Sequence, residues 1–171
     1  MIFAPIHIIF LELICDPASV LGFEKERAMH NLMQGPPRPT SEPLINPRLW
    51  LKIILQGLSI TAICFFFYYH FAITHGNTEL GRTAALVALV LSQTFLILIS
   101  REWEQIKSNK LLLTISGIII LVLAGMIFIP ILQNIFKLVP LTAKEIFYII
   151  LGTFVVALLN KIILKLLPAR K

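Results

Sequence analysis

Five apolar runs, each near the length of one bilayer crossing, limit what this 171-residue chain can become. They cover about residues 2–23, 49–72, 82–100, 111–132 and 144–167. A helix rises about 1.5 Å per residue, so about 20 residues span the ~30 Å hydrocarbon layer. Inside that layer a segment must satisfy its own backbone polar groups, and runs of this kind do so as helices. The chain is 57% apolar and only 14% charged, which lies outside the soluble range. The expected fold is therefore an all-α membrane protein, a bundle of five transmembrane helices in the lipid bilayer.

Charge placement supplies the topology. A net charge of +6 would suggest nucleic acid in a soluble domain, but here the basic residues sit between apolar runs, and no nucleic-acid partner is expected. The first connector and its margin carry Lys25, Arg27, Arg38, Arg48 and Lys52; the third carries Arg101, Lys107 and Lys110; the tail adds Lys161, Lys165, Arg170 and Lys171. The other two connectors have only Arg82, Lys137 and Lys144 at their margins. By the positive-inside rule the chain starts outside and ends in the cytoplasm. The connector 24–48 opens with Glu24, Lys25, Glu26 and Arg27 and becomes proline-rich, so it reads as an extended link. It is too short for a catalytic domain. Cys15 and Cys64 both fall in apolar runs, against a disulfide framework. The first run carries acids and no basic leader, unlike a cleavable signal.

Those acids are Glu12 and Asp16, one helical turn apart. Each ionised carboxylate at mid-membrane costs roughly 2.5–3.5 kcal/mol. Four residues apart they share a face, and at about 6 Å their mutual repulsion is about 3 kcal/mol at an effective dielectric of 20. A cation or a shared proton relieves it. Pro17 has no N–H for the Leu13 carbonyl, so backbone oxygen is freed beside carboxylate oxygen, a ligand set that suits a hard cation. Packing alone is the alternative role for the acids. Cys15 reads as a small inert thiol or a soft ligand. Gln93, beside Ser92 in the third run, reads equally as a neutral ligand or as a hydrogen-bond partner; Gln56 and Asn160 read as interhelical glue. His70 and His75 lack the companions of a metal site. No phosphate loop, nucleophile elbow or zinc helix appears.

Several short motifs, in order, resemble the C-terminal membrane region of cation-transporting P-type ATPases of the calcium-pump and sodium-pump branch. They are Glu12-Leu13-Ile14-Cys15-Asp16-Pro17, then Met33-Gln34-Gly35-Pro36-Pro37-Arg38-Pro39 and Glu42-Pro43-Leu44-Ile45. Gly81-Arg82-Thr83-Ala84 resembles the entry to the eighth helix, and Ile129-Pro130-Ile131-Leu132 with Pro140-Leu141 the loop between helices nine and ten. The resemblance covers nearly the whole chain. It implies that Asp16 falls on a cation-ligating aspartate, Glu12 on a ligating asparagine, Cys15 on a ligating threonine and Gln93 near an eighth-helix ligand. Glu for Asn and Cys for Thr mean that ion selectivity does not carry over. The Glu-Leu-Ile-x-Asp-Pro form suggests a bacterial plasma-membrane pump.

The implied function is the membrane-embedded C-terminal part of an ATP-driven cation transporter, contributing carboxylates to an intramembrane ion site. The family's Asp-Lys-Thr-Gly and nucleotide domains are absent here, so this chain alone is not expected to be an enzyme and needs no cofactor beyond the transported cation. ATP and Mg would be bound by the part not present. Its implied partners are the preceding helices and cytoplasmic domains, with the sequence read as a fragment, a split subunit or a misread start. The alternative is a self-standing small membrane protein, such as a channel or permease subunit; an intramembrane enzyme has less support. In a background lacking Cys15 and Cys64, a cysteine at Thr40 should label only from the cytoplasmic side and one at Asn77 only from outside. Outside labelling at position 40 would reverse the topology.

Overall fold

The computed structural model describes residues 3–12, 20, 47–74, 76–99 and 109–166. Every regular element among them is helical: α1 (Pro5–Phe10), α2 (Pro47–Thr74), α3 (Thr78–Ile99), α4 (Lys110–Phe128), α5 (Pro130–Phe136) and α6 (Ala143–Leu166). Four of these, α2, α3, α4 and α6, are long and apolar enough to cross a membrane. The first expected span begins as α1 and widens into a π-type turn at Leu11 and Glu12; residues 13–19 lie outside the described residues. Of the five expected spans, four are thus matched by membrane-length helices among the described residues.

The expected fourth span, 111–132, is two helices. α4 stops at Phe128, Ile129 turns extended (φ −92°, ψ 116°), and Pro130 starts α5. Proline cannot donate to the Met126 carbonyl, and its ring pushes the preceding residue out of helical geometry. Hydropathy alone runs on through Leu132 because the residues on both sides of the break are apolar. α5 ends at Lys137 in the left-handed region (φ 52°), with the Leu138 N–H returned to the Gln133 carbonyl at 2.9 Å.

The starts of α3, α4 and α6 are set by side-chain caps. Asn77 Oδ1 accepts from the N–H groups of Glu79 and Leu80 at 2.9 and 3.3 Å, opening α3. Asn109 Oδ1 accepts from Leu112 N–H at 3.0 Å, opening α4. At α6, Thr142 N–H donates to Glu145 Oε2 at 2.6 Å and Glu145 N–H to Thr142 Oγ1 at 3.4 Å, a reciprocal capping box.

α3 is the central helix. Ala84, Ala85, Leu86 and Ala88 are fully buried, and its neighbours are α2, α6 and α4. The most extensive packing is with α2, the helix that directly precedes α3 in the chain. Helices in lipid associate where small residues let backbones approach. Gly81 marks that approach: a Cβ there would lie 2.7 Å from the Tyr68 carbonyl oxygen and 2.9 Å from Ala72 Cβ. Where α2 meets α6, a Cβ on Gly152 would meet Phe67 Cζ at 2.8 Å. α2 and α6 leave Leu58, Phe66, Phe147 and Phe154 exposed, an apolar surface suited to lipid. Tyr69 and Tyr148 sit towards the ends of these helices that adjoin the α2–α3 turn, as interfacial aromatics do.

Gly81→Ala should destabilise the chain by about 1–3 kcal/mol, because the atom it strikes is backbone and has nowhere to move. That exceeds the helix-propensity gain of about 1 kcal/mol. Gly57→Ala and Gly117→Ala, with no neighbour within 4 Å, should be neutral or slightly stabilising. Thermal unfolding of the three variants in detergent compares them directly.

Candidate functional site

α1 is short but firmly started. Pro5 occupies the first turn, where its missing N–H costs nothing. The His7 N–H bonds the Ala4 carbonyl at 2.9 Å, and the Ala4 N–H donates to His7 Nδ1 at 3.1 Å. His7 thus takes the place that Glu or Gln holds in an ordinary capping box. Since Nδ1 accepts, the ring proton sits on Nε2, which donates to the Phe136 carbonyl at 2.6 Å. The ring is completely buried, with Phe3 edge-on at 6.2 Å between centroids. One turn on, Phe10 packs edge-on against Phe136 at 5.9 Å. His7 and Phe10 form the face of α1 that meets the bundle.

The same end of the molecule is tied a second time. Thr83 Oγ1, on the first turns of α3, accepts from Val139 N–H at 3.0 Å and donates to the Glu79 carbonyl at 3.0 Å. α1, α3, α5 and the segment leading to α6 are therefore held together by hydrogen bonds to the stretch 136–139. Arg82 lies beside Thr83, and its buried Nε has no partner among the described residues.

Glu12 lies at the end of this anchored helix and is exposed, on the side away from the His7–Phe10 face. The turn that carries it is of the wide π type, a form often found at functional positions. Asp16, Cys15 and Leu13 lie outside the described residues. Gln93 is half-buried midway along α3, and no hydrogen bond joins it to Glu12. Next to it Ser92 is buried with its hydroxyl unpartnered among the described residues. Of the five expected site residues, Glu12 and Gln93 are among the described ones, and no hydrogen bond joins these two.

Among the amides expected to join helices, Asn160 does so: its Nδ2 donates to Ser59 Oγ at 2.8 Å, linking α6 to α2, and to the Val156 carbonyl at 2.9 Å. Ser59 in turn donates to the Gln56 carbonyl at 2.9 Å. His70 is exposed and stacks on Phe66 at 5.9 Å. Among the described residues no three His, Cys, Asp or Glu side chains cluster for a metal. Sequence reasoning missed His7. Its signal was present: an ionisable ring inside an apolar run needs a partner, and only the two acids were weighed in that light.

A family model for the C-terminus of cation-transporting ATPases matches residues 1–167. The chain belongs to that family. It is the C-terminal membrane region of a cation-transporting P-type ATPase, an integral membrane protein. No curated protein matches the chain. In this family setting the four described crossings, the helix break before Pro130 and the exposed acid on α1 all belong to a transport domain.

Proposed function

We propose that this region of the pump contributes Glu12 and Asp16 to an intramembrane site for the transported cation. The observation that carries the proposal is the position of Glu12. In a family that moves cations through the membrane, a carboxylate sits on the helix face that the described bundle leaves uncovered. An ionised carboxylate facing lipid costs roughly 2.5–3.5 kcal/mol, so that face needs protein and a counter-charge. Helices preceding this region, in the same or a separate chain, would cover it. Asp16, four residues further in the sequence, doubles the negative charge, and Leu13 carbonyl oxygen, Cys15 and Gln93 are secondary ligands. With two carboxylates the site favours a hard, oxygen-preferring cation. ATP and Mg act in the pump's cytoplasmic domains. The start of α1 faces outside and the end of α6 the cytoplasm, as the basic residues direct.

In a reconstituted full-length pump, phosphorylation from ATP should be stimulated by one or more of calcium, manganese, magnesium and sodium. Asp16→Asn should abolish that stimulation, since the amide keeps the size but loses the charge. Glu12→Gln should abolish it or change the preferred ion, and Gln93→Ala should be milder. If both acid substitutions left ion dependence and turnover unaltered, the acids would be packing features and the proposal would be wrong.

A further inference from the structure

One buried polar contact of this bundle lies outside the proposed ion site, that of His7. Its two ring nitrogens are used in opposite senses: Nδ1 accepts from Ala4 N–H and Nε2 donates to the Phe136 carbonyl. Only the neutral imidazole can do both. The imidazolium would turn Nδ1–H against Ala4 N–H, two donors 3.1 Å apart, and would place a cation in a fully buried position.

The surroundings offer that cation no relief. On α3 the ionisable group next to Thr83 is Arg82, itself positive. From α5 the ring meets a backbone carbonyl, and Lys137, directly after it, is exposed. Glu79, at the start of α3, is exposed, as is Lys144 on α6. Above, Phe3 closes over the ring with its edge. No carboxylate faces the imidazole among the described residues.

We propose that His7 is a proton-sensitive latch, which pins α1 to the α5 end of the bundle when neutral and releases it when protonated. The latch stands on its own geometry; only its consequence for Glu12, five residues further along the same helix, rests on the ion-site reading. The latched state holds the neutral ring, and protonation sets Nδ1–H against the Ala4 N–H, so the latch opens in acid. Acid on the side of the membrane that carries the α2–α3 turn would free the start of α1, together with the approach to the acidic turn.

The test uses the 171-residue chain in lipid nanodiscs, so it is independent of pumping. Hydrogen exchange is followed by mass spectrometry between pH 7.5 and 5.5, after correction for the intrinsic rate. Peptides covering residues 3–10 and 136–139 should lose protection several-fold in acid, while peptides from the centre of α3 should not. His7→Gln keeps an N–H for the Phe136 carbonyl but cannot titrate, and it should remove the acid dependence in both peptides. Imidazole nitrogen NMR of the unaltered chain provides a second measurement that needs no variant. A neutral Nε2–H histidine should become an imidazolium over the same pH range in which protection is lost. Acid-induced exchange that persists in His7→Gln, or a His7 ring that titrates without any change in protection, would overturn the latch.

Discussion

In hydrocarbon, apolar side chains gain little by leaving lipid for one another, so helices hold together where backbones approach and where polar groups find partners. α3 supplies the approach. Its small residues from Gly81 to Ala88 allow α2 close enough that no side-chain atom fits between Gly81 and the Tyr68 carbonyl. With α2 and α3 joined, α6 closes against both, and Asn160 bridges to Ser59 to fix the pairing near the opposite end. The remaining exposed surface, rich in Phe, Leu and Ile, requires a bilayer as its solvent.

Polar contacts do at the membrane margin what close packing does within it. The stretch 136–139 receives a side-chain bond from α1 through His7 and offers a backbone N–H to α3 through Thr83. This stretch exists because Pro130 breaks the fourth apolar run and Lys137 turns the chain in the left-handed region. A short helix such as α1 could not persist alone in water. Here one face is fastened by His7 and Phe10, which leaves Glu12 on the other. The acid is thus oriented by residues that carry no charge of their own in the latched state.

Much of the fold was legible from the sequence because membrane spans announce themselves by length and hydropathy, the strongest signal a single sequence carries. The spans ending at the α2–α3 turn and starting at α6 lie within a few residues of the helices observed. The fourth apolar run is longer than its helix because Ile129, Ile131 and Leu132 keep it apolar across Pro130, whose effect on the backbone does not register in hydropathy. The family was legible in short motifs read in order, and a match over residues 1–167 agrees. Of the candidate site, Glu12 is legible by its charge and Gln93 by its depth, but no local pattern encodes how two positions 81 residues apart are arranged. His7 was overlooked because its partner is a backbone carbonyl 129 positions away, which no local pattern encodes.

Glu12 and Asp16 are proposed to meet the transported cation. A carbodiimide modifies protonated carboxyls inside membranes, and the modified residues are read by mass spectrometry. In the full pump without transported cation, label should appear on Glu12 and Asp16, and a saturating concentration of the cation that stimulates phosphorylation should suppress it at both. Labelling that is the same with and without that cation, at both positions, would contradict the account.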